Sequence, residues 1–225
     1  MAPSLNLAAL TSEELTRLLG PDAAQKLLPD LSQARMQDRP YRGPQLPPDL
    51  RFEPQAPREW GATAVESRRL RALREEFQGL GYAEHGVYYV PGQLGARHQQ
   101  ALTGDGDTAA ALRWSETPES VSEPPFVQLL TLLRDRASGF AAVLTTGGQY
   151  PLVPAPSEEV AVRALPGAGA LELHGAHRAE VLRHGRGTKL VTFNDWERAW
   201  QALRALNYVA WTRRGLLLDD VKETR

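Results

Sequence analysis

Residues 125–146, PFVQLLTLLRDRASGFAAVLTT, decide the class of fold that this chain can adopt. Two apolar runs of strand length, 126–133 and 140–144, are rich in the β-branched, leucine and phenylalanine side chains that strands favour. A short polar segment separates them, and such a connection favours an antiparallel hairpin. The stretch therefore predicts two neighbouring strands of an antiparallel sheet.

Further strand-length runs lie on both sides of this hairpin. The segments YAEHGVYYVPG (82–92) and AAALRWSE (109–116) precede it, and EEVAVRALPG (158–167) follows it after a cluster of prolines. The last segment alternates well enough for a strand, although a short helix capped by Ser157 is an alternative. Residues 92–108, which end in TGDGDT, are predicted to form a loop.

Helical patterns occupy both ends of the chain. Near the start, Thr11 and Glu14 form a capping box and Gly20-Pro21 ends the helix, while a second short helix is expected over 23–28, before Pro29. Apolar residues at helical spacing predict a third helix over 70–80.

The most regular helical pattern lies near the C-terminus. Asn194 is expected as its N-cap, with Glu197 completing a capping box. An apolar stripe then follows at Trp196, Ala199, Trp200, Leu203 and Leu206. Because two tryptophans share this face, it is predicted to bury a large area, worth roughly 25 cal/mol per Å².

The order of these elements predicts an α+β fold. A run of strands followed by helices is typical of an antiparallel sheet, here of four to five strands with helices packed on one face. Six prolines in residues 38–60 fix φ and remove amide donors, so this segment is predicted to be an extended tether. The chain is thus divided into a short helical appendage (1–37), a proline-rich linker (38–60) and an α+β domain (61–225).

Composition narrows the chemistry and the setting. The absence of cysteine excludes disulfides, thiolate metal sites and a cysteine nucleophile. The net charge of −1 provides no global attraction to nucleic acid or to anionic lipid. The start does not resemble a secretory signal, and no run approaches the roughly 20 apolar residues that span a bilayer. These features predict a soluble cytoplasmic protein without membrane contact, and the use of Arg, Ala and Leu favours a bacterial source.

The segment LHGAHRAEVLRHGRG (173–187) holds three of the five histidines. On a helical wheel His177, Glu180 and His184 share an arc of about 60°, with His174 about 60° away. Because imidazole and carboxylate ligate zinc, His174, His177 and Glu180 are weak candidates for a metal site and for a metal-dependent hydrolase.

Two features of the same helix argue against a metal site. Leu171, Val181 and Leu182 are predicted to form its core face, which would turn the histidines towards water. In addition, His177 and His184 lie two turns apart, about 10.5 Å along the axis, and cannot chelate one ion. No metal and no cofactor is therefore predicted.

A basic stretch follows the histidines. Residues 183–214 contain seven Arg or Lys residues against two acidic ones, a net charge of +5. The segment YVAWTRRG (208–215) places aromatic residues beside arginines, as nucleic-acid surfaces do, whereas the simpler alternative is a solvated helical face. The candidate binding residues are Arg183, Arg186, Lys189, Arg213 and Arg214.

No convergent catalytic constellation occurs in the sequence. The leading prediction is a non-enzymatic interaction or regulatory module that binds a protein partner through a sheet edge or a charged helical face. Nucleic-acid binding through Arg183–Arg214 is the first alternative, and the metal-dependent hydrolase is the second. The segment PQLPP (44–48) also resembles a PxxP ligand, although a stiff linker is the simpler interpretation.

Overall fold

Two sheets organise the computed structural model, which describes residues 2–117, 124–149 and 153–219. Within these residues the strands are β1 (Ser4–Asn6), β2 (Arg42–Gln45), β3 (Glu53–Pro54), β4 (Ala83–Tyr89), β5 (His98–Gly104), β6 (Thr108–Trp114), β7 (Phe126–Leu132), β8 (Ala142–Thr146), β9 (Val160–Ala164) and β10 (Leu217–Leu218). Strands β3 to β9 form a seven-stranded sheet in sequence order, and β1 lies between β10 and β2 in a smaller antiparallel sheet.

The α+β class is confirmed, whereas the predicted number of strands is wrong. The large sheet has seven strands instead of four to five. The predicted hairpin of β7 and β8 is present, with Leu130 opposite Leu144. Strand β9 is also present, but it pairs parallel to β8. Residues 147–159 connect the two strands, and a connection of about a dozen residues is long enough for such a parallel crossover.

Strand β5 occupies part of the segment that was predicted to be a loop. Its residues Gln99 and Gln100 are buried but polar, so they interrupt the apolar pattern that identifies a strand. The turn that follows has positive φ at both Asp105 and Gly106, 53° and 72°. Type I′ hairpin turns require this pair of angles, and Asp-Gly is their preferred sequence. The Asp-Gly pair was thus the signal for the β5–β6 hairpin.

Five α-helices lie within the described ranges: α1 (Ser12–Leu19), α2 (Pro21–Met36), α3 (Ala64–Gly79), α4 (Ala170–His184) and α5 (Phe193–Arg213). The capping box of α1 is confirmed, because Glu14 N–H donates to the Thr11 hydroxyl and Thr11 N–H donates to the Glu14 carboxylate. None of these helices combines the length and apolarity needed to cross a lipid bilayer.

Three of the predicted helices have wrong boundaries. Helix α3 begins at Ala64 instead of residue 70. Helix α2 continues through Pro29 to Met36, because Ala24 and Leu31 anchor it to the core on both sides of the proline and offset the lost hydrogen bond. Helix α5 begins two residues early, with Thr192 as N-cap and Asp195 completing the capping box. The apolar stripe of α5 is confirmed by the burial of both its tryptophans.

Helices cover both faces of the seven-stranded sheet, so the prediction of one covered face is wrong. One core contains α5 and the strand residues Ala101, Ala109, Ala111, Leu130 and Leu144. The other contains α3, the start of α4 and the strand residues Leu102, Ala110, Leu112, Val127 and Leu129. Neighbouring residues of each strand enter opposite cores, and all seven residues of β6 are buried. A continuous apolar run, in place of an alternating one, is the signal for such two-sided burial.

The N-terminal segment packs on the end of α5. Leu5, Leu15 and Leu31 share a core with Trp211 and Leu216. Strand β1 pairs with β10, and the proline-rich residues 38–60 contribute β2 to the small sheet and β3 to the large one. The division at residues 37 and 60 stays a prediction, but the N-terminal helices are in contact with the main body.

Candidate functional site

Helix α4 packs on the sheet with a face that only partly overlaps the predicted one. Its buried residues are Ala170, Leu173, His177 and Val181. Of the predicted core residues only Val181 is buried, while Leu171 and Leu182 are 73% and 75% exposed. The reason is the chemistry of the sheet surface that α4 covers. Threonine hydroxyls lie on this surface, and a histidine can form hydrogen bonds with them whereas a leucine cannot.

His177 is fully buried, with both ring nitrogens engaged. Its Nε2 lies 2.9 Å from the Thr131 hydroxyl of β7, and its Nδ1 lies 3.0 Å from the Thr145 hydroxyl of β8. Thr131 is also 3.2 Å from the Asp107 carbonyl oxygen, to which its hydroxyl donates. A neutral His177 ring protonated at Nε2 satisfies all of these hydrogen bonds. Burial lowers the pKa of His177 to about 3, so the ring is uncharged at neutral pH.

His174 belongs to a polar cluster at the tip of the β5–β6 hairpin. Arg178 donates to Asp107 at 2.7 Å and lies 3.7 Å from Asp105. The His174 Nδ1 is 3.5 Å from the Asp105 carboxylate and 3.2 Å from the Tyr82 hydroxyl. Burial, reinforced by the charge of Asp105, raises the pKa of Tyr82 well above its usual value, so its hydroxyl stays protonated. The cluster fastens the turn to α4.

Glu180 lies on the other side of α4 from His174. Its carboxylate accepts from Arg163 of β9 at 2.9 Å and lies 3.4 Å from His184. The structure therefore separates His174, His177 and Glu180, because they face the hairpin turn, the sheet and β9 respectively. Within residues 2–117, 124–149 and 153–219, no three His, Asp or Glu side chains are grouped as ligands of one metal ion.

The five candidate basic residues do not form one surface. Three of them are in ion pairs: Arg183 with Glu180, Arg213 with Glu158 and Arg214 with Glu14. Arg186 and Lys189 are exposed, and no carboxylate of the described ranges pairs with them. Helix α5 is about 30 Å long, from its 21 residues, and this length separates Lys189 from Arg213 and Arg214.

The solvent face of α4 carries leucines at its two ends and small residues at its centre. We name as the outer stripe the exposed residues Leu171, Gly175, Ala179 and Leu182. They recur at i, i+4, i+8 and i+11 and so share one side of the helix. The exposed residues Glu172 and Arg183 border the outer stripe near its two ends. Two exposed leucines on one side of a helix make this face a candidate interaction site.

A second feature, which the sequence interpretation missed, lies on the other face of the sheet under α5. Arg113 of β6 is only 6% exposed, and its guanidinium carbon lies 4.7 Å from the centroid of the Trp200 ring. Gln99 of β5 is directly opposite Arg113 and is fully buried. We name these three residues the Arg113 cluster. Burial lowers the pKa of Arg113 to about 9, which leaves it charged at neutral pH.

The Arg113 cluster contains polar atoms that lack a partner among the described residues. The Nε of Arg113, the Nε1 of Trp200 and both amide atoms of Gln99 are buried and form no hydrogen bond with the described part of the chain. The sequence signal was available, because Arg113 has the strand parity of Ala109 and Ala111 and therefore occupies a core position. A charged residue at a core position indicates either a buried ion pair or a binding site.

Two features thus stand out as candidate sites, the outer stripe on α4 and the Arg113 cluster under α5. The polar groups around the histidines are engaged with one another. The chain matches no protein-family model, no curated protein and no solved structure.

Proposed function

We propose that the protein is a non-catalytic interaction module that binds a protein partner through the outer stripe of α4. The observation that carries this proposal is the exposure of Leu171 and Leu182, at 73% and 75%, on a helix whose other face is fully packed. Covering a leucine side chain contributes about 1.5–3 kcal/mol. A partner that covers both leucines therefore gains a substantial part of a specific binding energy.

The chemistry of the outer stripe fits a second copy of the same helix. When two α4 helices cross antiparallel on their solvent faces, about a two-fold axis at the level of residue 177 along the helix, Leu171 falls beside Leu182 of the second copy. Gly175 then falls beside Ala179, where small side chains let the helices approach closely. Such an isologous contact is the commonest arrangement in homodimers.

Charge complementarity supports the same partner. In the antiparallel arrangement Glu172, near the start of α4, lies close to Arg183, near the end of the second copy. The two-fold axis repeats this pair, so a dimer contains it twice. A parallel arrangement would place like charges together. The charges therefore support a second copy in the antiparallel orientation.

The non-catalytic part of the proposal rests on the engagement of His174, His177 and Arg178 of α4. Both nitrogens of His177 are hydrogen-bonded to threonine, and His174 and Arg178 face the aspartates of the hairpin turn. A general base must reach the proton that it removes, and these groups already have partners within the protein. A cytoplasmic, bacterial setting is part of the proposal and rests on composition alone.

Charge reversal tests the partner and the orientation together. We expect the wild-type protein to dimerise reversibly in sedimentation equilibrium, and Glu172→Arg and Arg183→Glu each to weaken dimerisation by about tenfold, because each creates two repulsive contacts. The double variant should restore it, since the two charges are exchanged. Val209→Glu, on an exposed position of α5, is the matched control and should leave dimerisation unchanged.

Two results would contradict the proposal. One is a wild-type protein that stays monomeric at the highest concentration reached, and the other is dimerisation that neither reversal weakens. Restoration in the double variant would distinguish a second copy from an unrelated partner, because only a second copy carries the compensating change.

Nucleic-acid binding is the alternative function, and on this structure we infer that it would depend on Arg186 and Lys189. These two cations are exposed and lack a carboxylate partner among the described residues, whereas Arg213 and Arg214 are paired. Two cations can neutralise only about two phosphates, which gives a weak attraction to a nucleic acid. We therefore favour protein binding through the outer stripe over nucleic-acid binding. A metal-dependent hydrolase would need His174, His177 and Glu180 to converge, and they lie on different sides of α4.

A further inference from the structure

Two buried arginines, Arg113 under α5 and Arg204 on α5, form no ion pair with a carboxylate of the described ranges. The guanidinium carbon of Arg113 lies 4.7 Å from the centroid of the Trp200 ring, and its Nε is buried without a hydrogen bond to the described part of the chain. Arg204, one helical turn after Trp200, is 9% exposed and donates from its Nε to the Pro47 carbonyl oxygen at 3.1 Å. A buried guanidinium without a counter-charge is costly, by several kcal/mol. At Arg113 an anion would therefore supply a counter-charge that the described residues do not provide.

The unpaired atoms of the Arg113 cluster specify the ligand chemistry further. Three of the groups are donors: the Nε–H of Arg113, the Nε1–H of Trp200 and the side-chain NH₂ of Gln99. The fourth, the Oε1 of Gln99, is an acceptor. A ligand that satisfies all four needs an anionic acceptor group and, next to it, one hydrogen-bond donor.

The planar guanidinium of Arg113 restricts which kind of anion can bind. Arginine forms two parallel hydrogen bonds with a carboxylate, a geometry that a spherical ion such as chloride cannot use. Gln99 and Arg113 are direct cross-strand partners, so a carboxylate bound by Arg113 lies within reach of the Gln99 amide. A hydroxyl group on the neighbouring carbon then has the Oε1 of Gln99 as its acceptor.

We propose that Gln99, Arg113 and Trp200 form a binding site for a small carboxylate that carries an adjacent hydroxyl group. The ligand supplies the counter-charge that the described residues do not provide under α5. The site lies on the opposite face of the sheet from α4, so it is independent of the proposed dimer contact and goes beyond it. The protein would then report the presence of a small acid through the packing of α5.

Glycolate and acetate are suitable probes, with sodium chloride at equal ionic strength as the reference. The readout is the indole N–H signal of Trp200 in ¹H–¹⁵N spectra of the full chain, assigned with Trp200→Phe. We expect glycolate to shift this signal saturably, because the indole gains an acceptor. Acetate should bind about tenfold more weakly, since it lacks the hydroxyl that Gln99 accepts.

Matched variants test each part of the site. Arg113→Met keeps the length of the side chain and removes the charge, so it should abolish the response to both acids. Arg198→Met removes an exposed arginine of α5 and should leave the response unchanged. Gln99→Leu should remove the preference for glycolate over acetate. If Arg113→Met does not fold, the titrations of the wild-type protein and of Gln99→Leu still show whether the acid binds at this site.

Three results would overturn the proposal. The first is a Trp200 signal that no acid moves, and the second is a signal that chloride moves equally. The third is a response to inorganic phosphate at lower concentration than to glycolate, which would assign the site to a tetrahedral oxyanion instead of a carboxylate.

Discussion

At the scale of single residues, His177 shows how a polar side chain becomes part of a core. The ring is fully buried, and two threonine hydroxyls, from β7 and β8, occupy its nitrogens. The folded protein therefore disfavours the protonated ring, and its pKa falls to about 3. In the unfolded chain the pKa of histidine is about 6.5. The difference makes this residue a pH-dependent contributor to stability.

The variant His177→Leu should be less stable than wild type by about 2–4 kcal/mol at neutral pH, because two buried hydroxyls lose their partner. Below pH 6.5 only the unfolded wild-type chain takes up the proton. The advantage of wild type should then shrink by up to about 1.4 kcal/mol per pH unit, down to pH 3. Urea unfolding of both proteins at several pH values measures this. A difference that does not change with pH would contradict the assignment of a neutral buried ring.

At the scale of elements, the β5–β6 hairpin depends on the absence of a side chain at Gly104. A Cβ at this position would lie 2.5 Å from the ring of Tyr82, which is 4% exposed and packs edge-on against Phe77. The ring has no room to move away. The end of β5 can therefore approach the turn at Tyr82 only with glycine.

The variant Gly104→Ala should accordingly lose about 1–3 kcal/mol of unfolding free energy, because the added methyl group overpacks the core. Gly79→Ala is the matched control, since no atom lies within 4 Å of its added Cβ. Chemical denaturation of both variants compares them directly. Equal stability of the two variants would show that Tyr82 can be displaced at little cost.

At the scale of the whole molecule, Glu14 joins three distant segments. Its carboxylate accepts hydrogen bonds from Thr11 N–H at 3.0 Å, Ala155 N–H at 2.8 Å and the Arg214 guanidinium at 2.7 Å. Burial favours the protonated acid, but these bonds outweigh it, and the pKa of Glu14 lies below its usual value. The N-terminal helices are thereby attached to the end of α5.

The variant Glu14→Gln should be less stable by about 1.5–3 kcal/mol at neutral pH, because charge-assisted hydrogen bonds are lost. The folded pKa is lowered, so the contribution is present above the unfolded pKa and disappears as the pH falls through the folded one. The penalty should therefore fade in acid. Thermal unfolding at neutral and at acidic pH measures this penalty. Glu13→Gln, which changes an exposed neighbour, is the control at each pH. Equal penalties in both variants would refute the role of Glu14.

Local signals predicted much of the fold. The capping box at Thr11 and Glu14, the β7–β8 hairpin and the tryptophan face of α5 each depend on residues close in sequence, and all three are present. Strand β5 was missed because Gln99 and Gln100 conceal its pattern. The parallel pairing of β9 was missed because pairing partners are chosen by the packed sheet and not by the strand itself.

The candidate sites were harder to predict for the same physical reason. The sequence by itself determined that α4 is a helix with histidines on one arc and leucines on another. Which arc faces the sheet depended on hydroxyls that Thr131 and Thr145 contribute from strands more than 30 residues away in sequence. In the same way, Arg113 could be recognised as a charge in an apolar strand, but only the arrival of α5 on that face left it buried without a counter-charge among the described residues. Short-range order sets the elements, and the complementarity of their surfaces, which involves residues far apart in the chain, sets the sites.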